Sequence, residues 1–154
     1  MSSFRATLAE NIPTSVILKA PDSASEFVKG DLVYIDTTTD TIKQCGADPA
    51  LIAAVAEVDA TSSALHPAGL CPIRLLRPDT VVALSSATDY SAASDGNTVD
   101  IVDTSSGIWR VLPAATSNPR VLIRNGVTAA NSLDGAIYFV QFIAANLQFD
   151  AIAS

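Results

Sequence analysis

Few residues in this chain have the chemistry for nucleophilic or metal work. There is one histidine, His66, and there are two cysteines, Cys45 and Cys71; Asp supplies most of the carboxylates. A Ser–His–Asp relay on a nucleophile elbow needs a Gly-x-Ser-x-Gly turn, and no such pattern is present. His66 precedes Pro67 in a polar stretch and reads as a loop histidine. Zinc ligands come in clusters such as Cys-x-x-Cys, and Cys45, His66 and Cys71 lack that spacing. Asp36-Thr-Thr-Thr-Asp40 and Asp100-Ile-Val-Asp103 bring carboxylates close together. A calcium loop also needs a turn glycine and a closing Glu, so both stretches read as solvated turn acids. No Gly-rich loop ahead of a helix could cradle phosphate. The expectation is a chain that is not an enzyme, with no catalytic residue, cofactor or metal and no small-molecule substrate.

The elements that would carry these residues are strands. Gly30-Asp-Leu-Val-Tyr-Ile-Asp-Thr-Thr-Thr-Asp-Thr-Ile-Lys-Gln-Cys45 is a short alternating strand, a polar turn and a second strand. Gly96–Val111 repeats that pattern. With the two glycines aligned, Val33 falls on Val99, Ile35 on Ile101, Thr38 on Thr104 and Ile42 on Ile108. Apolar runs follow each copy, from Pro49 and Pro119, and then from Ile73 and Ile137. A duplicated β unit is the best single description of the sequence.

Composition agrees. Glu and Lys number three each, too few for the wet face of long helices, whereas Thr, Ser, Val, Ile and Asp suit strands joined by polar turns. At 154 residues the chain can bury a core without staples. The expected fold is all-β: one compact barrel-like or sandwich-like domain over 27–154, with repeat units 30–84 and 96–143. Residues 1–26 are expected to form an N-terminal arm or edge strand. A net charge of −7 repels nucleic acid and anionic lipid, so neither is an expected partner. No run approaches the ~18 apolar residues that a membrane helix needs. Met1-Ser-Ser-Phe-Arg5 has no apolar stretch behind it, so no signal peptide is expected and synthesis in a cytoplasm is.

Along the chain, Thr14–Lys19 reads as a strand bracketed by Pro13 and Pro21, and Phe27 and Val28 as a lead-in touching the core. Leu51–Val58, the proline-bounded Cys71–Arg77, Thr80–Leu84, Val121–Arg124, Ile137–Ile143 and Leu147–Ile152 read as further strands. Ser85–Asn97 reads as a long loop with a helical turn near Asp89–Ala93, and Asn125-Gly126 as a type I′ hairpin turn. Cys45 and Cys71 are left either bonded or free. Trp109 reads either as core or as an interface anchor, and Arg110, Arg120 and Arg124 either as partner contacts or as pairs for the chain's own Asp residues.

Gly30-Asp-Leu-Val-Tyr-Ile35, the downstream Leu51-Ile-Ala-Ala-Val-Ala-Glu-Val58 and the later Gly-led strands resemble the capsid decoration (cement, head-stabilising) proteins of tailed bacteriophages. The likeness runs from about residue 27 to 143. It departs at Ala53-Ala54, where that family often has Gly, and at Asn97, where the second copy has no Asp. The resemblance implies a homotrimer on the exterior of an icosahedral head, bound to the major capsid protein and bracing joints between its subunits. By position it implies partner contacts at Phe4, Arg5, Leu8 and Ile12. The other readings are a tail-tube or head-completion protein, and a carbohydrate- or host-surface-binding module. The latter usually displays several stacking aromatics, and only nine aromatic residues occur here.

Overall fold

The computed structural model describes residues 7–8, 16–22, 27–45, 51–60, 69–103, 109–129 and 134–148. They are all-β, as the composition requires. Eleven strands follow in order: β1 Thr7–Leu8, β2 Val16–Lys19, β3 Leu32–Asp36, β4 Thr41–Gln44, β5 Ala54–Ala56, β6 Cys71–Leu75, β7 Val81–Ser86, β8 Thr98–Asp103, β9 Trp109–Leu112, β10 Val121–Thr128 and β11 Ala136–Phe142.

The strands make two sheets of the same connectivity. The first runs β2-β6-β5-β3-β4, and the second β7-β11-β10-β8-β9 with β1 added on β7. Each closes into a ring through a parallel contact between its first and third strands: Pro21 with Ile42 in the first, Ser85 with Arg110 in the second. Registers match residue for residue. Leu32 pairs with Val55 as Thr98 pairs with Leu122. Val55 pairs with Arg74 as Leu122 pairs with Gln141. Val16 pairs with Arg74 as Val81 pairs with Gln141.

This correspondence corrects the sequence alignment in two places. Val33 and Ile35 do match Val99 and Ile101, but Ile35 pairs with Ile42 while Ile101 pairs with Val111. Val111, not Ile108, is therefore the counterpart of Ile42, because the second hairpin has the longer turn; Ile108 lies outside the described residues. The unit limits also move. The strand read at Thr80–Leu84 as the end of the first unit is β7, the opening strand of the second ring. Val16–Lys19, within the segment read as an arm or edge strand, is the opening strand of the first. Ile17 packs against the first core, so any separable arm ends before Val16.

Strict alternation assigns the cores. Val33, Ile35, Ile42, Ala54, Ala56, Cys71 and Ile73 fill the first ring together with Phe27. Their alternates Leu32, Val55 and Cys45, with Ile52 and Leu76, join the larger cluster that fills the second ring, where Val99, Ile101, Trp109, Val111, Val121, Ile123, Tyr138, Val140 and Phe142 are buried. The wall of the first ring is thus apolar on both faces. The chain end sutures the rings: Leu147 bridges Ile52, and the buried Gln148 amide accepts from Ile35 N at 2.8 Å and donates to Ile35 O at 2.7 Å. Ile35 needs that partner because the short β5 pairs β3 only at Leu32 and Val33.

One local expectation fails for an identifiable reason. Asn125-Gly126 is no hairpin turn; β10 runs through it to Thr128, with a register irregularity between Ile123 and Asn125. The Gly is needed because the Tyr90 ring lies on it: a Cβ there would stand 2.7 Å from Tyr90 Cδ2. Pro72 lies in a strand flanked on both sides, not at an edge. It sits where the pairing with β5 ends: its carbonyl accepts from Glu57 N at 3.1 Å, one residue past the last β5 pair, Ala56 with Ile73.

Candidate interaction surface

The motif that opens the hairpin of each ring is a backbone device. Gly30 and Gly96 both take positive φ, 91° and 84°, a region where a side chain is strained. Gly30 N donates to Ala56 O at 2.8 Å and Gly96 N to Ile123 O at 2.8 Å, and Ala56 and Ile123 are themselves counterparts. The residue after each glycine differs in depth. Asp31 is fully buried, and its carboxylate accepts from Val28 N at 2.9 Å and Gln44 Nε2 at 2.8 Å. Asn97 is exposed and its amide reaches Ala93 O at 3.4 Å. The buried carboxylate holds the Val28–Asp31 turn against β4, and the exposed amide only trims a short 3-10 turn at Ala92–Ser94.

Among the described residues, the groups read for chemistry are not assembled into a reactive centre. Cys45 and Cys71 are buried free thiols in different clusters, on opposite faces of the first ring's wall. Burial pushes both thiols up, so neither is an activated nucleophile. Asp36 accepts from Lys43 Nζ at 2.7 Å, and Lys19 pairs with Asp40. The Lys43 hydrogen bond is the main cause that holds the Asp36 carboxyl below its ordinary range. These turn acids are tied to the protein's own lysines. No group of three or more metal-binding side chains occurs among the described residues. Nor is any helix among them long and apolar enough to cross a membrane. His66 lies outside the described residues.

The proposed contact residues divide sharply. Trp109 is 1% exposed, a core residue of the second ring, and cannot anchor a partner on this surface. Alternation puts it inside with Val111 and turns Arg110 the other way, where its guanidinium pairs with the buried Asp134 at 2.9 Å. Arg120 is buried and donates to Asn118 Oδ1 at 3.1 Å. Both arginines serve the protein's own acceptors. Arg124 is exposed and donates to Gln141 Oε1 at 2.9 Å, the counterpart of the Arg74–Glu57 pair on the first ring. Of the arm residues, Leu8 lies in β1, where Thr7 pairs with Ala83 and Leu8 with Val82. Phe4, Arg5 and Ile12 lie outside the described residues.

Two residues absent from the candidate set are prominent instead. Val16 and Leu18, on β2, are 44% and 42% exposed. Their counterparts on β7, Val81 and Ala83, are 4% and 5% exposed. In the sequence Val16 and Leu18 look like any alternating strand residues; only their placement on the outer wall of a ring exposes them. Leu51, Leu112 and Val127 are the other exposed large apolar side chains among the described residues. Comparisons with protein-family models, with curated proteins and with solved structures gave no match.

Proposed function

We propose that this chain is a structural binding protein of the capsid-decoration kind. In this reading it docks on the outside of an assembled icosahedral phage head and braces the joints between major capsid protein subunits, as a trimer. The carrying observation is the Gly30-Asp31 lead-in, the motif that bears the resemblance, seen to open the hairpin of one ring, with Gly96-Asn97 opening the equivalent hairpin of a second ring of the same connectivity. Two closed rings sharing one apolar wall make a rigid body, and closure pairs most strand edges that would otherwise aggregate. Such a body acts by surface complementarity. Each copy seated across a joint buries area that must be re-exposed before the joint opens, a gain of roughly 25 cal/mol per Å² of apolar surface before the costs of binding.

The test is to add purified protein to mature heads that lack it, count bound copies, and heat both samples. Saturable binding in fixed ratio to capsid subunits, with DNA released at a higher temperature, is the expected result. Recovery at a single vertex or in tails would reassign the chain to head completion or the tail tube. Absence of any binding to particles would end the virion reading.

A further inference from the structure

The matching rings differ at one edge. On β7, the edge not used by β11 is shared: β9 meets it at Ser85, and β1 meets it at Val82 and Ala83. On β2, the equivalent edge meets β4 only beyond the strand, where Ala20 O accepts from Ile42 N and Asp22 N donates to Ile42 O, both at 2.9 Å. No strand among the described residues occupies the place of β1.

The backbone groups along this edge that no described residue meets can be identified. Pro72, opposite Leu18, has no N–H, and its carbonyl accepts from Glu57 N at 3.1 Å, away from β2. Opposed residues of an antiparallel pair turn their backbone groups toward or away from each other together. The N–H and C=O of Leu18, and likewise of Val16, therefore face outward, in phase with Ala20 and Asp22. Leu18 is the counterpart of Ala83, the residue opposite Thr7 in the second ring. The bare edge also carries the two exposed apolar side chains, Val16 and Leu18, whose counterparts are buried.

We propose that the Val16–Lys19 edge is the docking site for the β1 segment of a second copy of this chain. The segment adds antiparallel to β2, with Thr7 opposite Leu18 and Leu8 opposite Ile17. The occupant follows from the molecule itself: this segment already fills the equivalent position on β7, in that direction and register. Among the described residues, two pairs place it there, Thr7 with Ala83 and Leu8 with Val82. Every copy then gives one arm and accepts one, a head-to-tail contact that closes into a ring or continues as a filament. This inference stands apart from the capsid reading, since it concerns contacts between copies with no shell present.

Amide exchange of the full chain, followed by NMR at rising protein concentration, tests it. The Val16 and Leu18 amides are expected to slow about tenfold or more, while sedimentation shows assembly. Leu18→Lys, at an exposed position, should keep the monomer's melting temperature and lose both effects. Leu8→Pro should lose assembly, and a synthetic peptide of residues 1–15 should restore protection at Leu18 in that variant. Exchange at Val16 and Leu18 that is independent of concentration and of peptide would overturn the proposal. So would undiminished assembly of Leu18→Lys, or peptide protection confined to Val82 and Ala83.

Discussion

The two rings have the same strand order and the same pairings but are filled with different volumes. Around the first ring, interior positions carry Ala54, Ala56 and Cys71; the counterparts in the second are Val121, Ile123 and Tyr138, with Trp109 added from its longer hairpin. The first ring gains a Phe27 plug from its lead-in, and the second has Tyr90 stacked at its side, 5.6 Å from Tyr138. Connectivity is therefore set by the alternation and the turns, and it tolerates large changes of interior volume provided that each ring is filled. In the second ring, Ser85 Oγ, Trp109 Nε1 and Tyr138 OH are buried with no hydrogen-bond partner among the described residues. The first is held by polar groups that the second lacks, namely Asp31 beneath its opening turn and Gln148 on Ile35.

The largest expected effect tests the difference in filling. Trp109→Ala should cost ~3–5 kcal/mol in a urea titration, through the cavity it leaves in the wide ring. Ala56→Leu should cost less, ~1–3 kcal/mol, by overpacking the narrow one. Equal costs would mean that the rings are not filled differently in solution. Next comes the suture. Gln148→Ala leaves the Ile35 N–H and C=O buried without partners and should cost ~2–4 kcal/mol. Exchange should accelerate in β3 more than in β8, whose Ile101 N–H is served by the Asp100 carboxylate at 2.8 Å.

The opening turns give a matched pair of substitutions. Asp31→Ala removes a buried acceptor from two donors and should cost ~2–3 kcal/mol, while Asn97→Ala should fall within about 0.5 kcal/mol of the parent in the same melt. The smallest effect is electrostatic and confined to the first hairpin. Asp36, held low chiefly by the Lys43 hydrogen bond, contributes stability above the ordinary 3.8 that is lost as pH falls through its lower folded value. Lys43, raised chiefly by the same bond, contributes below the ordinary 10.5 and loses that as pH rises through its higher folded value. The counterparts, Val102 and Leu112, cannot ionise. Amides of the β3–β4 hairpin should therefore show acid and alkaline loosening, and Lys43→Met should abolish it.

Much of this was legible in the chain because it depends on local pattern. Period-two alternation gave the strands, and Gly30 and Gly96 marked the equivalent starts because both need positive φ. The paired hairpins revealed the repeat. What failed depended on neighbours distant in sequence. Asn125-Gly126 has the composition of a turn, yet the Tyr90 ring makes its glycine a strand residue. Trp109 and Arg110 looked alike as interface residues, until ring closure put one in the core and the other on Asp134. The limits of the repeat were misplaced because β2 and β7 carry no motif. They are opening strands only through the partners they find, β6 and β11.

The sequence by itself determined the class, the strands, the two-fold repetition and a chain of high Asp and low Glu and Lys content, since these follow from periodicity and composition. Only the tertiary structure decided which face of each strand is wall and which is surface, that Asp31 is buried while Asn97 is exposed, and that Val16 and Leu18 stand bare where Val81 and Ala83 are covered. Alternation divides a strand into two faces, but which face is wet depends on what packs against it, and here that is supplied by residues tens of positions away.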